Sequence, residues 1–156
     1  MGMPGAPTWA IVANRATARI LRGLEAPDTN GPPPGELVHR ARSARLAAHL
    51  SEASAHPPSR AETGAMASDL RDFADEIAHL LDVHRLAGDF DRVAVWGPRA
   101  VLYSILAAMS APLRAAVFLT GERDLTALSD IALRRCVRDE IAAAEAGLPA
   151  TNHGRA

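Results

Sequence analysis

The chain has 156 residues, 48% of them hydrophobic and 22% charged, which is the size and composition of one globular domain. Its formal net charge of −1 excludes an overall field that would recruit DNA or an anionic membrane surface. With one Cys there is no intrachain disulfide, and no stretch reaches the roughly 18 apolar residues of a membrane span. We expect a cytoplasmic domain over residues 8–146, with flexible termini at 1–7 and 147–156 and no secretion signal.

The first strand is predicted over Thr8–Ala13, where apolar side chains fall on both faces as in a central strand. Asn14-Arg15 predicts a tight turn, since Asn tolerates the left-handed backbone conformation. The chain should then return as a second strand over Thr17–Leu24.

A third strand is predicted over Glu36–Arg42, after a loop at 26–35 that contains three consecutive prolines. Arg40 and Arg42 fall on one face, which favours a solvated edge strand. Residues 43–59 allow one or two helical turns, which His56-Pro57-Pro58 would end.

A long helix follows, with Ser59 and Glu62 as a capping box at its start and Gly88 as its C-terminal cap. Its apolar stripe recurs at steps of three and four: Met66, Leu70, Phe73, Ile77, Leu80, Leu81 and His84.

The second half of the chain repeats one pattern, a short apolar strand followed by a periodic helix. Arg92–Trp96 predicts a buried strand, and Pro98 suits the first turn of the next helix. Ala115–Leu119 predicts the last strand, and Ser129 predicts the N-cap of the final helix. The buried positions expected on these two helices are Val101, Leu102, Ile105, Leu106 and Met109, then Leu133, Val137 and Ile141.

Three strands followed by two helix–strand units and a closing helix form the order of a mixed, five-stranded RNase H-like sheet. Right-handed crossovers would place the strands in the order 3-2-1-4-5, with helices on both faces. The first strand would then be central and the third an edge.

The segments TWAIVANRATARIL, DRVAVWGPRAVLYSIL and RAAVFLTGERDLTALSDIALRRCV resemble the bacterial host attachment proteins, the proteins required for attachment to host cells. That family resembles the middle domain of archaeo-eukaryotic peptide release factors. The resemblance covers Thr8–Ala13 and residues 69–137, and it implies the same fold and a role in attachment. Where the family is expected to carry an acid after the first strand, this chain has Asn14.

The chain lacks the residues that two kinds of catalysis require. Two-metal nucleases need converging carboxylates, but the first strand has no acid and leaves Asp72 and Asp75 without partners. Peptide release of the kind that the resemblance implies works through a Gly-Gly-Gln loop, and the chain has neither Gln nor a Gly-Gly pair. We therefore expect no catalytic residue, no metal site and no cofactor.

Other polar residues have ordinary structural explanations beside chemical ones. Asp75 and His79 lie one helical turn apart and are expected to form a surface ion pair. The alternative is that they belong to the site of a hydrolase. His84 is expected to be half-buried, and Cys136 is either an inert thiol or one activated by a neighbouring Arg.

Charged residues follow the fourth and fifth predicted strands, at the strand ends where open α/β sheets bind ligands. Arg99, Glu122, Arg123 and Asp124 are the candidate partner-binding residues, although Asp124 and Thr126 could equally bond local backbone amides in a turn. We expect a non-enzymatic host-attachment-type protein that acts through protein or ribonucleoprotein contacts. The alternative is a translation-associated, ribosome-binding domain without the hydrolysis loop.

Overall fold

The computed structural model describes residues 7–24, 36–40 and 60–147, with side chains for 7–24 and 69–147. Several predicted features lie outside the described residues: the loop at 26–35, the segment 41–59 with Ser59 of the capping box, and the termini at 1–6 and 148–156.

The strands are β1 (Thr8–Ala13), β2 (Thr17–Leu21), β3 (Glu36–Arg40), β4 (Arg92–Trp96) and β5 (Val117–Gly121). The helices are α1 (Arg60–Leu86), α2 (Arg99–Ala108), α3 (Ala111–Ala116) and α4 (Asp130–Glu145). Together they confirm a mixed α/β architecture built on a single sheet. The RNase H-like assignment stays a prediction.

Four strands with described side chains lie in the order β2-β1-β4-β5, and β3 adds its backbone to the outer edge of β2. The pairs β1–β2 and β2–β3 are antiparallel, whereas β1–β4 and β4–β5 are parallel. The central position predicted for β1 is confirmed, since every one of its residues is buried.

Two apolar cores lie on the two faces of the sheet. On one face, α1, α2 and α3 cover alternate residues of β1, among them Trp9 and Ile11, and the predicted stripe residues Phe73, Ile77 and Leu81 are buried there. On the other face α4 is the helix that the described residues provide, with Leu133, Val137 and Ile141 buried as predicted.

The ends of the helices follow their sequence signals. Gly88 has a φ of 82°. Its N–H donates to the carbonyl of Arg85, and the N–H of Asp89 donates to the carbonyl of His84. This pair of bonds is a Schellman motif, so the predicted glycine cap of α1 is confirmed. The side chain of Ser129 accepts a bond from the N–H of Ala132 at 3.3 Å, which confirms the predicted cap of α4.

The predicted last strand was two residues too early. Ala115 and Ala116 end the short helix α3, whose N-cap Ser110 accepts a bond from the N–H of Leu113 at 3.3 Å. Ser110-Ala111-Pro112 is a helix start, with Pro in the first turn, and it overrides the strand preference of the following apolar run. The predicted second strand was also too long, since β2 ends at Leu21.

The turn after β1 is built differently from the prediction. Among the described residues, positive φ angles occur only at glycines, so Asn14 does not use the left-handed conformation. Instead its Oδ1 accepts bonds from the N–H groups of Ala16 and Thr17, at 2.8 and 2.9 Å. These side-chain bonds, together with the backbone bond from the N–H of Asn14 to the carbonyl of Thr17 at 2.9 Å, close the turn without a left-handed residue.

Candidate functional site

The parallel strands β4 and β5 end side by side, and this places the loops that follow them next to each other. The N–H of Gly97 donates to the carbonyl of Gly121 at 3.1 Å, which continues the ladder one step beyond β4. Arg99 begins α2 just after the first of these ends, and residues 122–128 form the loop after the second. The predicted site residues therefore share one edge of the sheet.

Close packing fixes this edge. Trp96 is fully buried, and its ring occupies the space beside Gly121 in which any larger residue would carry a Cβ. At Gly97, a Cβ would lie 3.1 Å from the carbonyl oxygen of Ala13. Both glycines therefore allow three strand ends to approach more closely than other residues would permit.

Arg99 and Glu122 meet at a third side chain, that of Tyr103 on α2. The Tyr103 hydroxyl donates to Oε2 of Glu122 at 3.0 Å, and the Arg99 guanidinium carbon lies 5.9 Å from the centre of the Tyr103 ring. Tyr103 is 50% exposed, and Arg99 and Glu122 are exposed as well. These three residues, here called the Tyr103 cluster, present a ring, a cation and an acid to solvent.

Arg123 points away from this cluster towards α4. Its Nη2 lies 3.2 Å from Oε2 of Glu140 and 3.8 Å from Sγ of Cys136. In this ion pair the Arg123 side chain is about one-third exposed, and the Glu140 side chain is less exposed. Arg123 thus ties the loop to α4, and the arginine near Cys136 is not its sequence neighbour.

Asp124 is folded into its own loop. Its Oδ1 accepts bonds from the N–H of Thr126 at 2.9 Å and from the Thr126 hydroxyl at 2.5 Å. The same hydroxyl accepts a bond from Nδ2 of Asn14 at 2.9 Å. Asn14 therefore supplies a donor that an acid in its place would lack, and the loop is anchored to the end of β1.

Arg19 on β2 holds the other end of this loop. Its Nη1 donates to the carbonyls of Thr126 and Leu128, at 3.2 and 2.7 Å, and its Nη2 bonds to Asp130 at 2.7 Å. The side chain of Arg19 is only 13% exposed. One guanidinium group thus joins β2, the loop and the first turn of α4.

The four predicted residues lie at one edge but do not form one surface. Arg99 and Glu122 converge on Tyr103, whereas Arg123 and Asp124 make contacts that stabilise the loop. Tyr103 was missed, although its place four residues after Arg99 and outside the apolar stripe of α2 was a usable signal.

The other polar candidates lie on α1, where they are exposed or half-buried. Asp72, Asp75 and His79 are exposed on α1. His84 is half-buried as predicted: it lies 4.8 Å from the ring of Trp9, and its Nδ1 is 2.7 Å from Asp89. Within the described residues, no three His, Cys, Asp or Glu side chains are grouped so as to hold a metal ion. The absence of a metal site stays a prediction.

Comparison with known proteins relates the sequence to one family. The family model described as "Protein required for attachment to host cells" matches residues 9–137, which is most of the chain. No functionally curated protein matches the sequence. Of the helices that the structure describes, none has the length and apolar character needed to cross a membrane.

Two of the solved structures that match have a weak likeness to this chain. One is an archaeal translation termination factor, aRF1, with 15% sequence identity and a TM-score of 0.40, covering 89% of this chain and 39% of its own. The other, an archaeal protein, has 15% identity and a TM-score of 0.38, covering 89% of this chain and 38% of its own. The chain thus spans about two fifths of the length of these proteins.

Proposed function

Because the chain belongs to the family of proteins required for attachment to host cells, we propose that it supports attachment by binding another protein, without catalysis. The observation that carries this proposal is the exposed Tyr103 cluster. Tyr and Arg supply much of the binding energy in protein interfaces, and here both stand on a rigid helix that begins at the sheet edge.

The charges of the edge favour a protein over a nucleic acid. Arg99 stands beside the acid Glu122 through their shared contact with Tyr103, and Arg123 is paired with Glu140. Nucleic acid binding relies on clustered cations that face phosphates, whereas these cations alternate with acids. A ribonucleoprotein partner is therefore the alternative that the test must separate.

The absence of catalysis is supported by the sequence and by the use of the charged side chains. β1 contains no acid, and the chain contains no Gln for a release-type loop. Asp124 is engaged by Thr126, and Arg123 by Glu140. A cytoplasmic location stays a prediction.

The test is quantitative capture of partners from a lysate of the native organism. Wild-type protein and an Arg99→Ala/Tyr103→Ala double variant are compared as immobilised baits. An interface residue of this kind contributes about 2 kcal/mol or more, and the contributions of neighbouring residues do not add. The affinity of the double variant should therefore fall by at least about 30-fold, the equivalent of one such residue, and its bait should retain correspondingly less of the partner. Arg135→Ala, which removes an exposed cation from α4, is the matched control and should capture as wild type does.

Sedimentation with ribosomes distinguishes the alternative. Phosphate-dominated binding weakens steeply as salt is raised. Cosedimentation that is lost with salt would support a translation-associated domain, and it would count against a protein partner. Equal partner capture by wild type and the double variant would contradict the role of the Tyr103 cluster.

A further inference from the structure

β5 forms an edge of the sheet. Within the described part of the chain, only β4 pairs with it. All residues of β1 are buried. In β5, by contrast, Thr120 is exposed and the other four residues are half-buried. The strand thus presents partly exposed apolar side chains and one backbone edge that no described residue pairs with.

The direction of the backbone groups follows from the ladder with β4. The carbonyl of Gly121 accepts a bond from Gly97, so Gly121 faces β4. In a strand, successive residues direct their N–H and C=O groups to opposite sides. Thr120 therefore turns both of its backbone groups outwards, towards the open edge.

The usual protections of an edge strand are sparse here. Val117–Gly121 contains no charged residue and no Pro, the residue types that prevent strand addition. The register shift between β4 and β5 lies at the start of β5, opposite Val93 and Ala94. The second half of the strand, around Thr120, stays regular and open to pairing.

We propose that β5 pairs in antiparallel orientation with β5 of a second copy, so that two chains share one continuous sheet. A two-fold axis perpendicular to the sheet and beside Thr120 makes the two Thr120 residues exchange two N–H···O=C bonds. Such an interface is isologous, because the same patch of each copy meets itself.

Charge complementarity favours a second copy as the occupant of this edge. Exposed Arg114 lies in the last turn of α3 just before β5, and exposed Glu122 follows β5 directly. Antiparallel pairing brings the start of one β5 beside the end of the other. With Thr120 opposite Thr120, Glu122 of one copy lies opposite Phe118 of the other, which follows Arg114 by four residues. We therefore expect the long Arg114 side chain of each copy to lie near Glu122 of the other.

The first experiment measures the mass of the purified protein by sedimentation equilibrium across the micromolar range. Wild type should approach twice the 16.5 kDa of one chain. Thr120→Pro removes the outward N–H without touching the bonds to β4, so it should remain folded and monomeric. Thr120→Val, which keeps the N–H, is the matched control and should dimerise.

Exchange of the two charges is a second test that does not depend on how Thr120→Pro folds. Arg114→Glu and Glu122→Arg each create a like-charge pair and should each weaken the dimer at least tenfold. The double variant restores opposite charges and should recover the dimer. A monomeric wild type, a Thr120→Pro dimer, or a double variant no better than the single ones would each overturn the proposal. Because only the pure chain is used, these outcomes are independent of the proposed function.

Discussion

The indole ring of Trp96 occupies the position that a side chain of residue 121 would need. A Cβ on Gly121 would lie 2.6 Å from Nε1 of Trp96 and closer still to Cδ1. Gly121 does not have a positive φ, so it is required for space and not for backbone freedom. This contact joins the ends of β4 and β5, from which the candidate site extends.

Replacing Gly121 by Ala should lower the free energy of unfolding by about 1–3 kcal/mol, the usual cost of adding volume to a packed interior. Urea denaturation measures the loss. In a Trp96→Leu background the same change should cost less, because the rigid ring edge is gone. Equal costs in both backgrounds would show that the ring is not the obstacle.

Arg19 is predicted to hold the loop after β5 mainly through backbone carbonyls. Arg19→Met keeps the apolar stem but removes the bonds to Thr126 and Leu128, and should cost about 2 kcal/mol in the free energy of unfolding. Asp130→Asn removes the charge of the exposed partner, which also lies 3.6 Å from Arg134, and should cost at most about 1 kcal/mol. If the two variants lose the same stability, the ion pair rather than the loop contact is the important one.

The sequence predicted the elements whose signals are local. The apolar stripe of α1, the cap at Ser129 and the central position of β1 all depend on periodicity or on one capping residue. α3 was missed because Ala115 and Val117 continue an apolar run that also suits a strand.

The site was predictable only as a place on the sheet. That Arg99 and Glu122 would share an edge follows from parallel strands. The direction of Arg123 towards α4 depends on the path of a loop, and no periodicity encodes that path. The Asn14 side chain bonds across the fold to Thr126, 112 residues away in sequence, so local patterns could not predict this contact.

The hydroxyl of Thr126 links Asp124 in this loop to Asn14 at the end of β1. Thr126→Val keeps the shape and the backbone bond to Asp124 but loses both hydroxyl bonds, to Asn14 and to Asp124, and should cost about 1 kcal/mol of stability. Hydrogen exchange of the amides at 122–129 should accelerate. Thr126→Ser retains the hydroxyl and should preserve most of the protection; exchange as fast as in the Val variant would contradict a role for these bonds.

The most direct measurement of the central claim is attachment itself. Cells of the native organism that lack this protein are complemented with wild type, Arg99→Ala/Tyr103→Ala or the control Arg135→Ala, at equal protein levels. Wild type and the control should restore attachment to host cells, while the double variant should fail although it is folded, since exposed substitutions change stability by only about 0.5 kcal/mol. Full restoration by the double variant would contradict the account.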